Sequence, residues 1–237
     1  MHQKKAKFLH QLTFKQFIFQ VNCFLIEEET ELTLIDAANP GSSQRILDTA
    51  KQIGKPITKL IFTHCHTDHI GSLDELKEAL PNTAVMFPKR ELKILEGNTE
   101  HEDGEPPSPI RRVSYPKNLK TKPDKLLVDN DRIGPLLAIT SPGHTAGSMS
   151  FFDTRDGALI VGDAFQTLGG VAVSGKFKAR YPFPALANWN KQASLASAQK
   201  LRKLSPTLLA VGHGDALHQP LVEMDDAITQ AQKWALR

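Results

Sequence analysis

The sequence predicts a layered α/β fold, because short apolar runs alternate with amphipathic helical segments along the chain. Four of these runs have the length and the continuous apolar character of strands buried on both faces: residues 60–63, 136–139, 158–161 and 208–211. Each run leads, directly or through a glycine-containing turn, to a histidine or an aspartate. If all four runs are strands of one core, the loops at their ends can bring these polar side chains together.

Amphipathic segments predict helices between and after these strands. Residues 42–53, 189–204 and 221–235 carry apolar side chains at intervals of three and four, which is the spacing of one helix face. Ser72 and Glu75 have the spacing of a capping box and predict the start of another helix. These helices suffice to cover both faces of a sheet core, which supports the layered arrangement.

The bulk composition is that of an ordinary soluble globular protein, with 40% hydrophobic and 23% charged residues. The length of 237 residues fits one domain, which we expect to span residues 1–237. The net charge of +3 comes without a lysine- and arginine-rich block, so we expect no nucleic-acid partner. No apolar stretch approaches the roughly 18 residues of a membrane span, so we expect no membrane partner.

Two features of the sequence indicate a cytoplasmic protein. Cys23 and Cys65 are too few for a disulfide framework. Residues 1–20 are basic, but Lys15 and two glutamines interrupt their apolar part, and no small-residue cleavage site follows. We therefore expect residues 1–20 to form an edge strand instead of a signal peptide. Of the two cysteines, we expect Cys65 to be a packed thiol.

The densest group of ligand-type side chains lies directly after the first apolar run, where His64, His66, Asp68 and His69 occupy six positions. Imidazole and carboxylate are the groups by which proteins bind zinc, iron and manganese. In an extended segment His64 and His66 lie on the same side. Asp68 and His69 follow as the chain turns into the next helix and face a second point. Two clusters from one short loop suit two neighbouring metal ions better than one.

Three further ligand candidates, His144, Asp163 and His213, follow the other three apolar runs, each directly after a glycine. Taken singly, each is as readily explained as a hydrogen-bonded polar residue. Their shared placement after an apolar run and a turn favours a common site. Asp163 is the candidate for a bridging ligand, because its carboxylate has two oxygens to share.

The order of these motifs resembles the metallo-β-lactamase superfamily: His-x-His-x-Asp-His, then Gly-His-Thr, then Gly-Asp, then Gly-His. Residues 22–26 and 32–36 resemble the first hairpin of that family, so the resemblance covers nearly the whole chain. It implies a four-layer αββα sandwich with the site at one edge. It also implies a first metal bound by His64, His66 and His144, a second metal bound by Asp68, His69 and His213, and a bridge by Asp163.

The resemblance implies a dinuclear hydrolase in which water activated between two divalent ions attacks a small carbonyl ester, lactone or thioester. The metals would be zinc, with iron or manganese as alternatives. Asp68 would orient the attacking water, and the leaving group would be either stabilised by the second metal or protonated through Asp163 or water. A phosphodiesterase of the same fold, a mononuclear iron thiol dioxygenase and a non-catalytic metal-binding module stay open, and so does the oligomeric state.

Members that hydrolyse acyl-homoserine lactones efficiently place a tyrosine three residues after the bridging aspartate, where this chain has Gln166. We therefore expect poor activity on such lactones. Residues 169–184 combine glycines, basic residues and aromatics, and predict a substrate-facing loop. Its Lys176, Lys178 and Arg180 either contact an anionic substrate or are solvated.

Residues 98–118 are rich in proline and charge, and predict a surface loop. Asp36, at the end of the predicted first hairpin, has two readings. It either orients a ligand histidine from behind or is simply a turn residue.

Overall fold

The computed structural model describes residues 2–16, 19–112, 114–177 and 183–235. The strands, in chain order, are β1 His2–Ala6, β2 Leu9–Gln16, β3 Phe19–Glu27, β4 Leu32–Ile35, β5 Ile57–Ile61, β6 Ala84–Pro88, β7 Lys125–Leu127, β8 Arg132–Ile133, β9 Leu136–Thr140, β10 Met149–Asp153, β11 Ala158–Ile160, β12 Phe165–Gln166, β13 Ala172–Val173, β14 Leu208–Ala210 and β15 Leu217–His218. The helices are α1 Ser43–Ile53, α2 Thr67–Ile70, α3 Leu73–Ala79, α4 Lys89–Leu95, α5 Phe183–Leu186, α6 Lys191–Arg202 and α7 Leu221–Ala235.

The strands form two large sheets and one small one. The first sheet has seven strands in the order β1-β2-β3-β4-β5-β6-β7, and the second has six in the order β15-β14-β11-β10-β9-β8. Strands β12 and β13 pair separately. All four apolar runs are strands as predicted, with β5 in the first sheet and β9, β11 and β14 in the second.

Three apolar clusters define the layers. One cluster joins the inner faces of the two large sheets and includes Ile61 of β5 and Ile160 of β11. A second packs α1, α3 and α4 on the outer face of the first sheet, and a third packs α6 and α7 on the outer face of the second. The predicted four-layer αββα sandwich is therefore confirmed.

Strand β14 illustrates why the core strands read as continuous apolar runs. Leu208 and Ala210 lie in the cluster between the sheets, whereas Leu209 lies in the cluster beneath the helices. Successive side chains of a strand point to opposite faces. Because both faces are covered here, every position is apolar.

The predicted helices are confirmed, but one predicted cap is wrong. Helix α3 begins directly after Ser72, yet the Ser72 hydroxyl makes no cap; it donates to the Asn39 carbonyl and accepts from the Ser42 amide. Glu75 accepts from the Gly41 amide instead of closing a capping box. Tertiary partners in the loop before α1 have replaced the local ones.

The predicted edge strand at the N-terminus is β1, which pairs with β2 as an outer hairpin. The predicted hairpin of β3 and β4 is antiparallel, as expected. Cys65 is a buried free thiol in the core beneath the first sheet's helices, which confirms its packing role. Among the described residues, no helix combines the length and apolar character that crossing a membrane requires.

Candidate metal centre

The loops that follow four core strands bring the predicted ligands to one edge of the sandwich. Strands β5, β9, β11 and β14 are each followed within a few residues by a ligand candidate, and α2 carries two more. Three overlapping groups of side chains have ligand atoms within 4.8 Å of one another. Together they contain all seven candidates: His64, His66, Asp68, His69, His144, Asp163 and His213.

The first group consists of His64, His66 and His144, and all three are buried. His66 Nδ1 lies 3.2 Å from His64 Nε2 and 3.1 Å from His144 Nε2. Tetrahedral zinc with bonds of about 2.0–2.1 Å would hold its nitrogen ligands about 3.3 Å apart. The three ring nitrogens thus have the spacing of ligands on one ion.

The second group consists of Asp68, His69 and His213. Asp68 Oδ2 lies 3.9 Å from His69 Nε2 and 3.5 Å from His213 Nε2. Asp163 lies between the two groups. Its Oδ1 is 3.4 Å from His69 Nε2, and its Oδ2 is 3.1 Å from His213 Nε2 and 3.4 Å from His144 Nε2.

Two buried atoms at this centre indicate that a cation fits there. In the part of the chain that the structure describes, His69 Nε2 and Asp163 Oδ1 have no hydrogen-bond partner. Leaving such groups unsatisfied away from water costs about 1–3 kcal/mol each. A divalent cation bound between them would remove that cost, and the donor set of imidazoles and carboxylates is one such ions accept.

The far sides of the ligand rings are held by hydrogen bonds. His69 Nδ1 lies 2.8 Å from Asp36 Oδ2, which also accepts from the Thr63 hydroxyl at 2.8 Å. Asp36 Oδ1 accepts from the Thr63 amide at 2.8 Å. Of the two readings of Asp36, these hydrogen bonds favour the orienting role.

The rings of His213 and His144 also have a hydrogen-bond partner on the nitrogen that points away from the centre. His213 Nδ1 donates to the Gln20 carbonyl at 2.6 Å, and His144 Nδ1 lies 3.2 Å from Ser174 Oγ. These contacts leave the Nε2 atom of each ring facing the centre. A partner on the outer nitrogen fixes the tautomer and the ring orientation that metal binding needs.

Comparison with known proteins adds an independent finding. The family model described as the metallo-beta-lactamase superfamily matches residues 17–213. The chain belongs to this superfamily. It is 51% identical over 223 residues to the uncharacterized protein YobT of Bacillus subtilis, covering 94% of this chain and 95% of that one.

More distant members of the superfamily are also similar. A hydroxyacylglutathione hydrolase of Bartonella henselae is 28% identical over 204 residues, covering 84% of this chain and 66% of that one. The crystal structure of the DIM-1 metallo-beta-lactamase superposes with a TM-score of 0.71 at 15% identity. It covers 98% of this chain and 96% of the other, which agrees with the sandwich described above.

Electrostatics separates the two groups of this superfamily site. Burial lowers the pKa of His64 and of His144, and it lowers the pKa of His66 to about 3. These rings are therefore neutral and present lone pairs, as metal ligands must. Burial is the largest influence on His69 and His213 and opposes their charge, but the Asp163 and Asp68 carboxylates and the Asp163 hydrogen bond together outweigh it and raise the pKa of both rings.

The loops that carry Asp163 and His213 approach so closely that position 212 requires glycine. A Cβ atom on Gly212 would collide with Asp163 Oδ1 and would come within 2.7 Å of His69 Cε1. The glycine before His213 therefore reflects a steric limit at the centre and is more than a turn signal.

Glu91 of α4 is a buried residue at this site that the sequence reasoning missed. Its Oε2 accepts from the Cys65 amide at 2.9 Å and from the Tyr115 hydroxyl at 3.0 Å, and its Oε1 accepts from the Gly147 amide at 3.1 Å. The Tyr115 ring in turn packs edge-on against His66, with centroids 5.1 Å apart.

These contacts join the loops that carry the first group of ligands. Cys65 lies between His64 and His66, and Gly147 lies three residues after His144. The Glu91 carboxylate thus holds both loops with one oxygen each. In the sequence, Glu91 looks like any charged residue of a short amphipathic helix, so no local pattern indicates this role.

A cavity of about 290 Å³ opens beside His66 and His144. We call it the side cavity. Residues 108–111 and Tyr115 line one wall, and residues 186–189 line the other. The predicted surface loop at residues 98–118 therefore forms part of the site.

The predicted substrate-facing loop at residues 169–184 does not line this cavity with the residues that the structure describes. Lys176 is half-buried, and its amide donates to the Val173 carbonyl. Lys178 and Arg180 lie outside the described residues, so their contact with substrate stays a prediction.

Proposed function

We propose that this protein is a dinuclear metal-dependent hydrolase that acts on a small carbonyl ester, lactone or thioester. The ions are zinc in this proposal, with iron and manganese as the alternatives that the same ligands accept. The first ion is bound by His64, His66 and His144, the second by Asp68, His69 and His213, and both by Asp163.

The observation that carries the proposal is the position of Asp163. Its Oδ1 lies near His69 of the second group, and its Oδ2 lies near both His144 of the first group and His213 of the second. This carboxylate therefore reaches ligands of both groups, so that one ion in each group would share it. Bound there, two divalent ions supply the acidity that makes water nucleophilic near neutral pH and the charge that stabilises a developing oxyanion.

Asp68 is the ligand candidate best placed to act on the attacking water. Its side chain is 35% exposed, whereas those of Asp163 and His213 are 3% exposed. An accessible carboxylate oxygen can accept a hydrogen bond from water and orient it for attack. The proton that the attacking water loses would pass to solvent, and solvent would protonate the leaving group, because Asp163 as a ligand of both ions would have no proton to give.

The names of relatives favour carbonyl chemistry. The Bartonella relative is named as a hydrolase of hydroxyacylglutathione. A mononuclear dioxygenase would not need the second group, yet Asp68, His69 and His213 lie together within 4.8 Å. A non-catalytic module would not need the side cavity beside the ligands.

The test is a substrate panel of thioesters, esters, lactones and phosphodiesters with purified protein and with Asp68→Asn. We expect carbonyl substrates to be preferred and the variant to lose about 10²-fold in kcat. Asp225→Asn is the control, because Asp225 pairs with Arg202 on the surface. Preferred phosphodiester turnover, oxygen consumption with thiols, or no turnover at all would each replace the proposal with the corresponding alternative.

A further inference from the structure

We propose that the substrate carries a carboxylate on the part that enters the side cavity, and that Arg111 binds this carboxylate. The proposal rests on the hydrolase function above and names the class of its substrate. The first observation that supports it is the position of the side cavity. The cavity reaches His66 and His144, so whatever occupies it lies next to the first group of ligands.

The walls of the side cavity are fixed by hydrogen bonds between them. The Trp189 indole donates to the Ser108 carbonyl at 2.8 Å, and the Asn190 amide group donates to Ser108 Oγ at 2.7 Å. At the other end of the first wall, the Thr67 amide donates to the Ser114 carbonyl at 2.7 Å. Arg111 lies between these two anchored points and is exposed towards solvent.

Charge identifies the kind of group that the cavity accepts. Among the described residues that line it, Arg111 is the only lysine or arginine, and none is acidic. The Tyr115 hydroxyl donates inwards to Glu91, so this residue presents its ring to the cavity.

A guanidinium in such a setting favours a carboxylate, which it can bind through two parallel hydrogen bonds. Ser108, Thr145 and Asn188 add neutral polar groups, and Ile110 and Trp189 add apolar surface. A volume of about 290 Å³ lies at the lower end for small-molecule sites. The occupant is therefore a short chain that ends in a carboxylate.

The test uses two pairs of thioesters. In one pair the acyl part carries the charge: S-adipyl-N-acetylcysteamine and its methyl ester. In the other pair the thiol part carries it: S-acetyl mercaptopropionate and its methyl ester. We expect the carboxylate member of one pair to have the higher kcat/KM. Arg111→Met should lower the ratio of the carboxylate's kcat/KM to the methyl ester's kcat/KM about tenfold, which corresponds to loss of a charge-assisted hydrogen bond.

Arg112→Met is the matched control, because Arg112 is also exposed but donates to the Leu95 carbonyl. The Arg112→Met variant should keep the wild-type ratio of kcat/KM between the carboxylate and its methyl ester. No preference for either carboxylate, or a preference that survives Arg111→Met, would overturn the proposal while leaving the hydrolase function intact.

A binding measurement decides the case even if no thioester is hydrolysed. Trp189 lines the cavity, so its fluorescence reports on occupancy, with Trp189→Phe showing which part of the signal it supplies. Adipate should bind the purified protein, dimethyl adipate should not, and Arg111→Met should weaken adipate binding about tenfold. Equal binding of both compounds, or adipate binding unchanged in Arg111→Met, would refute the role of Arg111.

Discussion

Asp36 Oδ2 lies 2.8 Å from His69 Nδ1, and both side chains are almost completely buried. The remaining contacts of the Asp36 carboxylate come from Thr63, whose amide and hydroxyl both donate to it. Among the described residues, the hydrogen bonds to this carboxylate thus all come from donors. This explains why an aspartate is needed and why an amide of the same shape would not serve.

Asp36→Asn should weaken binding of the second metal about 10- to 100-fold. The amide nitrogen of asparagine would face either Thr63 or His69, and in the second case it favours the tautomer with a proton on His69 Nε2. Competition with a chromophoric chelator measures the two affinities separately. Equal loss at both metals would indicate general unfolding, and unchanged affinities would contradict the orienting role.

Glu91→Gln should weaken binding of the first metal more than binding of the second. One amide oxygen can accept from the Cys65 amide or from the Gly147 amide, but a glutamine cannot accept from both at their present positions. The measurement is the visible spectrum of the cobalt-substituted protein during metal titration, which reports the geometry of each site. Glu91→Asp keeps two acceptor oxygens and should restore part of the first site's affinity. Identical behaviour of the two variants would mean that Glu91 only fills space.

The ligand loops could be predicted from the sequence, but their supports could not. Each ligand follows an apolar run and a turn, so a local pattern indicates both the strand and the residue. Glu91 is distant in the sequence from Gly147, and nothing near it indicates the contact. The same holds for Ser72, whose partners lie before α1, and for Ser108, which meets Trp189 only in the folded chain.

Glu27 should make the free energy of unfolding depend on pH in the acid range. Hydrogen bonds from His10, Lys5 and Lys55 lower the pKa of its carboxyl to about 2. Because the folded pKa lies below the usual value of 4.5, its contribution is full above that value and is lost as the pH falls towards 2. In urea denaturation, Glu27→Gln should be less stable than wild type at neutral pH, and the difference should shrink between pH 5 and pH 2.

Glu29→Gln is the control for that experiment, because Glu29 is exposed. It should track the wild type across the whole pH range. A constant difference between wild type and Glu27→Gln would show that the ion pairs do not set the pKa of Glu27.

The wild-type protein should be a poor acyl-homoserine lactonase, with kcat/KM below about 10⁵ M⁻¹s⁻¹. The position three residues after Asp163 holds Gln166, which is buried in β12 and has no phenolic hydroxyl to offer the lactone. A misplaced oxyanion donor typically costs about 10²- to 10³-fold in kcat. A steady-state assay with an acyl-homoserine lactone checks this, and a value above that limit would contradict it.

In the proposed hydrolase, Asp163 joins two metal ions. The most direct measurement is the metal content per chain, determined by elemental analysis of purified wild type and Asp163→Ala alongside their hydrolytic rates. We predict about two divalent ions in the wild type, and loss of metal together with most activity in a variant that still folds. One ion per chain in a wild type that hydrolyses at full rate would contradict the account.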